Sequence, residues 1–232
     1  MAHWQSIAGI DCITNIVDDS ETCVVLFHGY GADANDLAPL EGFLDREQKA
    51  SWIFPQGPME VIIGPHMTGR AWFDIDIQAL EQAMMRGEYR DLTQAQPPGL
   101  DAMSEQGEEF LRQLQKNHSN VIIGGFSQGA MLATAITLRA EKKPEALVVL
   151  SGALVNESQW KIWAQMENLQ GIPLFQSHGE NDALLDPKQA VQLFQLLKKA
   201  GMKGKMYQFK GGHEIPPTIL TQLNEFLKNI IL

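Results

Sequence analysis

The sequence predicts an α/β protein with a mostly parallel central sheet and helices on both faces. Short apolar runs recur along its 232 residues, amphipathic stretches lie between them, and glycine or proline marks many of the transitions. Strands that alternate with helices in this way usually pair in parallel, because each helix returns the chain to the same end of the sheet. Catalytic loops of such sheets gather where the strands end.

The composition bounds the classes of partner. Hydrophobic residues make up 44% and charged residues 20% of the chain, which is typical of soluble globular proteins. The net charge of −10 argues against nucleic acid or an anionic membrane as a partner. We therefore expect no nucleic-acid binding and no stable membrane insertion. The sequence leaves a homodimer open.

The chain ends and cysteines predict a cytoplasmic protein. No signal peptide is evident, and no apolar run approaches the length of a membrane-spanning helix. Cys12 and Cys23 form neither a disulfide framework nor a metal-ligand cluster. Without linkers or repeats, residues 1–232 are expected to form a single domain.

The first part of the chain predicts strands joined by loops. They are expected within residues 6–17 (one or two short strands), at Cys23–Phe27 and at Trp52–Phe54. Asp33, Asn35 and Asp36 follow the second of these positions and favour a helix cap over a cation site. The helix that they begin is expected to run to about Lys49.

Residues 55–99 predict a lid or a pocket insertion. The segment is rich in proline and glycine, and irregular segments of this length are usually functional or partly helical. Ile77 to Arg90 favour a short helix within it. Trp72 and Phe73 are candidate substrate-binding residues, since two adjacent aromatic side chains either line an acyl pocket or anchor the loop on the core. The sequence leaves both interpretations open.

The second part of the chain alternates helices and strands. Helices are expected around Leu100–Leu114 and Ala130–Ile136, from Asp186 to Gly201, and at the C-terminus. Strands are expected at Val121–Ile123, Ala146–Leu150, Pro173–Ser177 and Met206–Phe209.

A strand, a sharp turn and a helix meet around Ser127. The turn, Gly125-Phe126-Ser127-Gln128-Gly129, has the form G-x-S-x-G. In this context the pattern is that of a nucleophile elbow, in which small residues allow the tight turn and the serine hydroxyl projects from the strand end. The alternative is a glycine-rich turn that carries an ordinary serine. Because a serine hydroxyl is a poor nucleophile alone, catalysis requires a base.

Asp182 and His213 are the expected partners of Ser127. Each follows a predicted strand, and the order serine, aspartate, histidine is that of α/β-hydrolase triads. His213 would take the serine proton, and Asp182 would hold the imidazole and stabilise its charged form. His28 and His178 are alternative bases. Asp186 is an alternative acid, although its position suits a helix cap better.

Acyl transfer also needs donors for an oxyanion. The backbone N–H of Gln128, directly after the nucleophile, is one candidate. The N–H of Tyr30, in the loop His28-Gly29-Tyr30-Gly31, is the other.

These motifs resemble those of the phospholipase/carboxylesterase family of small α/β hydrolases, which includes acyl-protein thioesterases. The matching stretches span nearly the whole chain in order: Leu26–Asp33, Trp72–Asp74, Gly124–Ala130, His178–Asp182 and Gly212–Ile215. The resemblance implies the α/β-hydrolase fold and hydrolysis of acyl esters or thioesters without a cofactor or metal. It also implies Ser127, Asp182 and His213 as the triad. The segment from about Ile77 to Pro98 is longer than is usual in the family.

Other functions compete with an esterase or thioesterase. A lysophospholipase is a close alternative, with a lipid-like ester as substrate. A non-catalytic binding protein of the same fold is an alternative of another class, but it should lack one member of the triad. A cofactor-dependent enzyme is disfavoured, because the chain has neither G-x-G-x-x-G after the first strand nor G-x-x-x-x-G-K-[ST].

Overall fold

The computed structural model describes residues 3–166 and 169–231. Its strands are β1 His3–Ile7, β2 Ile10–Asn15, β3 Thr22–Phe27, β4 Ser51–Pro55, β5 Met59–Gly64, β6 Met67–Ala71, β7 Asn120–Phe126, β8 Ala146–Leu150, β9 Pro173–Gly179 and β10 Lys203–Phe209. Its α-helices are α1 Ala34–Leu37, α2 Glu41–Leu44, α3 Ile77–Met85, α4 Leu100–Asn117, α5 Gln128–Arg139, α6 Glu157–Met166, α7 Pro187–Lys199 and α8 Pro217–Lys228.

Eight of the strands form one sheet, in the order β1-β2-β4-β3-β7-β8-β9-β10. β2 pairs antiparallel with β1 and β4, and every pair from β4 to β10 is parallel. The mostly parallel sheet predicted from the sequence is confirmed. All the predicted strands are present within it.

The central strands β3, β7 and β8 are apolar on both faces because helices cover both. Side chains alternate along a strand, so Val25, Ile123 and Val149 pack on the face of α4, α5, α6 and α7. Their neighbours Val24, Ile122 and Val148 pack on the face of α1, α2 and α8. Two buried layers therefore sandwich the sheet and hold the strand ends in place. Within the described ranges, no helix combines the length and apolarity needed to cross a membrane.

The helix expected to reach about Lys49 is wrong in extent. The chain instead forms α1, a 3₁₀ turn at Ala38–Leu40 and α2, which ends at Leu44. Pro39 lies in the 3₁₀ turn and has no N–H to donate to a regular helix. The Asp45 carboxylate then accepts bonds from the Lys49 and Ala50 N–H groups, which turns the chain towards β4.

Residues 55–99 contain more regular structure than the sequence predicts. β5 and β6 form an antiparallel hairpin, whose turn holds His66 at φ 61°. The helix expected over Ile77 to Arg90 is shorter, because α3 ends at Met85 and Gly87 follows with φ 68°. Glycine adopts a left-handed conformation readily and commonly follows a helix end.

Candidate active site

The ends of β7, β9 and β10 bring three polar side chains together. Ser127 directly follows β7, Asp182 lies three residues after β9, and His213 lies four residues after β10. β7 and β9 are separated only by β8 in the sheet, and β10 is next to β9. All these strands run in parallel, so their carboxyl ends lie at one edge.

Ser127 lies in a strained turn between β7 and α5. Its φ of 55° and ψ of −117° are unusual for a residue with a side chain, and such strain is typical of nucleophile elbows. Its N–H donates to Leu150 O at 2.9 Å, which ties the turn to β8. A Cβ at Gly129 would lie 2.1 Å from Phe27 O, and one at Gly125 would lie 2.5 Å from the Gly129 carbonyl carbon. The turn therefore requires glycine at both positions.

His213 connects Ser127 with Asp182. Its Nε2 lies 2.8 Å from Ser127 Oγ, and its Nδ1 lies 2.6 Å from Asp182 Oδ2. A carboxylate only accepts, so Nδ1–H is the donor to Asp182 and Nε2 is free to accept the serine proton. The ring centroid of Phe126 lies 4.8 Å from that of His213 and packs beside it.

Asp182 is buried, and its carboxylate is held from several sides. Its Oδ1 accepts bonds from the N–H groups of Leu184 at 2.9 Å and Leu185 at 3.0 Å. Burial alone raises the pKa of Asp182, but the hydrogen bond and charge of His213, with these two N–H groups, hold it below its ordinary value. The carboxylate is therefore ionised at neutral pH and suited to orient an imidazole.

The alternative acid and the two alternative bases have other contacts. Asp186 caps α7, where its Oδ1 accepts the Lys188 N–H at 2.9 Å. His28 is buried, and its two ring nitrogens bond with Gly29 O and Gly57 N. His178 Nε2 lies 3.1 Å from Leu185 O and 3.4 Å from Asp182 Oδ2. Burial lowers the pKa of both histidines, so both are neutral at pH 7.

Tyr30 and Gln128 both line the cavity beside Ser127. Gln128 is the first residue of α5, where a backbone N–H has no partner within its own helix. In the part of the chain that the structure describes, no group accepts a hydrogen bond from the N–H of either residue. Two backbone donors are therefore available next to the serine.

A cavity of about 660 Å³ opens in front of Ser127 and His213. Most of its wall is apolar, and much of it comes from residues 74–98, which we call the cover. Ile77 and Leu80 of α3 line it, as do Leu92 and Pro97 of the cover. The other wall includes Met131 of α5. Such a cavity suits an acyl chain.

Hydrogen bonds fasten the cover to the rest of the molecule. The side chain of Gln189, on α7, accepts the Leu92 N–H at 3.3 Å and donates to Arg90 O at 3.0 Å. The Tyr89 hydroxyl donates to the backbone carbonyl of Asp182 at 2.8 Å. The cover is thus tied to the loop that carries the acid. Sequence reasoning proposed a lid here but did not identify these ties.

Trp72 and Phe73 divide between the two interpretations that the sequence left open. Phe73 lines the cavity. Trp72 is 1% exposed and packs in the core, with its ring centroid 5.1 Å from that of Phe27. Its Nε1–H donates to His28 O at 2.8 Å. Phe73 belongs to the same buried core cluster, so it serves both the core and the cavity wall, whereas Trp72 serves the core alone.

No group of three or more His, Cys, Asp or Glu side chains among the described residues is placed to hold a metal ion. The sequence-based expectation that no cofactor is needed stays a prediction.

Solved structures share this architecture. Esterase PE8 has a TM-score of 0.75 and 26% identity, with 91% of this chain and 93% of that chain covered. A carboxylesterase from Mesorhizobium loti has a TM-score of 0.74 at 19% identity, with 98% of both chains covered. The second likeness shows the fold alone. Together with the parallel sheet, these matches show the α/β-hydrolase fold.

Curated relatives are similar over nearly their whole length. The chain is 26% identical over 223 residues to acyl-protein thioesterase 1 of Candida albicans, covering 91% of this chain and 93% of that protein. It is 22% identical over 220 residues to the putative hydrolase MhqD of Bacillus subtilis, with 92% and 96% covered. The model of the phospholipase/carboxylesterase family matches residues 9–231. The chain therefore belongs to the phospholipase/carboxylesterase family, and it is an enzyme of the carboxylesterase and acyl-thioesterase type.

Proposed function

We propose that the protein hydrolyses carboxylic esters or thioesters of apolar acyl chains through an acyl-enzyme on Ser127. The observation that carries the proposal is the chain of contacts from Ser127 Oγ to His213 Nε2 at 2.8 Å and from His213 Nδ1 to Asp182 Oδ2 at 2.6 Å. The apolar cavity in front of the serine supports an acyl substrate. Asp182 is preferred to Asp186 as the acid, because Asp186 caps α7.

Acylation begins when Ser127 Oγ attacks the carbonyl carbon. His213 Nε2 takes the hydroxyl proton, and the carbonyl electrons move to its oxygen. The backbone N–H groups of Tyr30 and Gln128 donate to this oxyanion. Asp182, kept ionised by its low pKa, stabilises the imidazolium. When the tetrahedral intermediate collapses, the bond to the leaving group breaks, and His213 protonates the departing alcohol or thiol.

Deacylation repeats these steps with water. His213 takes a proton from water as the oxygen attacks the acyl carbon, and a second oxyanion forms in the same place. Collapse then expels Ser127 Oγ, which recovers its proton from His213. The products are the carboxylic acid and the free enzyme.

The cavity wall indicates which part of the substrate enters. Leu80, Leu92 and Met131 offer apolar surface and no charge, so an alkyl acyl group gains free energy by burial there. A cavity of about 660 Å³ lies in the range of small-molecule sites. We infer that the acyl chain lies against the cover while the leaving group faces solvent.

Ser127→Ala tests the proposal. The variant removes only one oxygen, so the fold should persist while kcat for a p-nitrophenyl ester falls by roughly 10⁶, as for triad serines elsewhere. A fluorophosphonate should label Ser127 in the native protein and leave the variant unlabelled. Labelling of another residue, or hydrolysis that persists in a folded variant, would contradict the assignment.

A substrate panel separates the finer alternatives. p-Nitrophenyl esters of increasing chain length should be compared with the matching acyl thioesters and with a lysophospholipid. We expect turnover of both esters and thioesters with an optimum chain length. If the lysophospholipid alone is turned over well, the protein is a lysophospholipase.

Further expectations from the sequence stay predictions. The sequence favours a cytoplasmic location and a small-molecule or lipid-like acyl substrate, and it leaves a homodimer open. We also infer that residues 1–232 function as a single domain, with the cover as its pocket insertion. The apolar layers on both faces of the same sheet support this inference.

A further inference from the structure

A buried chain of hydrogen bonds connects the two proposed oxyanion donors. Gln128 is fully buried, and its side chain lies against the segment that follows β6. Its Oε1 accepts the Trp72 backbone N–H at 3.0 Å, and its Nε2 donates to Phe73 O at 2.7 Å. One amide side chain therefore fixes the peptide groups that precede Trp72 and follow Phe73. The same residue carries one of the two proposed donors, the backbone N–H directly after Ser127.

Trp72 extends this connection to the second donor. Its indole Nε1–H donates to His28 O at 2.8 Å, and the loop that begins at His28 carries Tyr30 two residues later. The rings of Trp72 and His28 also pack together, with centroids 4.9 Å apart. Both residues are 1% exposed. Both groups are therefore shielded from solvent. If the Trp72–His28 hydrogen bond is removed, no solvent molecule is at hand to replace it.

β6 holds the same loop from beyond Tyr30. The Gly31 N–H donates to Arg70 O, and the Arg70 N–H donates to Ala32 O, both at 2.8 Å. The loop is therefore fixed before Tyr30 through Trp72 and after Tyr30 through Arg70. Both contacts come from one short stretch, residues 70–72, which is itself held by Gln128.

We propose that Trp72 and the Gln128 side chain are positioning residues that set the separation of the Tyr30 and Gln128 backbone N–H groups. The inference rests on the proposed acyl-enzyme mechanism and adds a role that no motif predicts. Its physical basis is that an oxyanion donor is effective only at the correct distance from the developing charge. A displacement of about 1 Å costs roughly 10² in rate. Trp72 thus acts on catalysis without touching the substrate.

Trp72→Phe is the primary variant, since it keeps an aromatic ring and removes the donor to His28. Trp160→Phe is the matched control. Trp160 is fully buried on α6, and its Nε1 has no hydrogen-bond partner in the described part of the chain. Both variants lose the same atoms from the core, but only the first breaks the connection. Gln128→Met cuts the connection from its other end and keeps the backbone donor.

The readouts separate positioning from packing. We expect Trp72→Phe to lower kcat between about tenfold and 10²-fold with little change in KM. A trifluoromethyl ketone with the same acyl chain is attacked at its carbonyl carbon by Ser127 Oγ, which turns the carbonyl oxygen into an oxyanion. Its Ki should rise by the same factor as kcat/KM falls. The ether analogue of the ester, which has no carbonyl, should keep its Kd. Gln128→Met should behave in the same way.

Each result decides the question. Wild-type kcat and ketone Ki in folded Trp72→Phe would overturn the proposal, as would an equal loss of kcat in Trp160→Phe. A parallel loss of ether affinity would assign Trp72 to the shape of the pocket instead. If Trp72→Phe does not fold, Gln128→Met decides by the same measurements. If the unaltered protein is neither inhibited by the ketone nor dependent on Ser127, the proposed function itself fails, which is a different outcome.

Discussion

The catalytic floor and the cover form opposite walls of one cavity and are built differently. The floor comprises the loops at the strand ends that hold Tyr30, Ser127, Asp182 and His213. Its turn leaves no space for a side chain at Gly125 or Gly129. In the cover, α3 buries only Ala83 fully, and Met85 is 88% exposed. The floor is constrained by core packing, whereas the cover meets solvent. From this difference we infer that the proposed reaction takes place on the floor and that the cover selects the substrate.

Asp182→Asn should produce the largest effect on the floor. An amide cannot hold the His213 tautomer or stabilise its charged form, and the analogous change in a serine protease lowers kcat by about 10⁴. Asp186→Asn is the matched control, because it keeps a residue type that caps helices well. Steady-state kinetics should show near wild-type kcat for Asp186→Asn. The acid is misassigned if Asp186→Asn is the damaging change.

Tyr30→Pro should be the next largest effect. It deletes the backbone N–H, and the loss of one oxyanion donor costs about 10²–10³ in kcat. Tyr30→Ala keeps the N–H and should keep most of kcat. Proline also restrains Gly29 before it, so a circular-dichroism melt must show that the variant is folded. Equal rates in the two variants would place the second donor elsewhere.

The floor should also make stability sensitive to acid. Burial lowers the pKa of His28 and His178 in the folded protein, whereas an unfolded histidine has a pKa of about 6.5. The unfolded state therefore binds more protons below that pH. The free energy of unfolding should fall by up to about 1.4 kcal/mol per pH unit for each histidine until the folded pKa is reached. Asp182, whose pKa is lowered, keeps its contribution until pH falls below about 3.9.

Urea unfolding between pH 7.5 and 5.5 measures this slope. His178→Asn cannot take up a proton there and should show a shallower fall, even if it is less stable at pH 7.5. A wild-type free energy of unfolding that is flat across this range would show that these histidines can be protonated without unfolding.

Leu80→Ala in the cover should have the smallest effect, and on selectivity alone. Leu80 lines the cavity from α3, so its truncation makes room for a longer acyl chain. One buried methylene is worth about 0.8 kcal/mol, or roughly fourfold in kcat/KM. The acyl chain of the preferred ester should become longer, while kcat for the shortest ester should stay within about twofold of the wild-type value. Met85→Ala, on the same helix but exposed, should leave the preference unchanged. A general loss of kcat in Leu80→Ala would break the division between floor and cover.

The floor was readable from the sequence because its constraints are local. Gly125, Ser127 and Gly129 occur within five residues, and the strands that precede Ser127, Asp182 and His213 are apolar runs or strand-like segments. The strand ends then fix which side chains meet, since parallel strands share one edge.

The hairpin and the buried bonds were not readable. β5 is largely exposed, with Ile62 83% exposed, so its residues do not show the pattern of a half-buried strand. The contacts of Gln128 with Trp72 join residues 56 positions apart. Such partners depend on tertiary packing, and no local pattern encodes them. The sequence alone does not distinguish a core role from a pocket role for Trp72, because the distinction depends on which residues surround its side chain.

The two hydrogen bonds between the Gln189 side chain and the cover limit how the cover can be exchanged for another loop. Gln189 is only 6% exposed, and its amide is paired with Leu92 and Arg90 of the cover. Replacing residues 74–98 with a shorter loop would leave that amide unpaired in the interior, at a cost of about 1–3 kcal/mol. It would also remove the hydroxyl that bonds with the Asp182 carbonyl. A successful chimera therefore has to be designed at three places, namely the transplanted loop, position 189 and the surroundings of the acid loop.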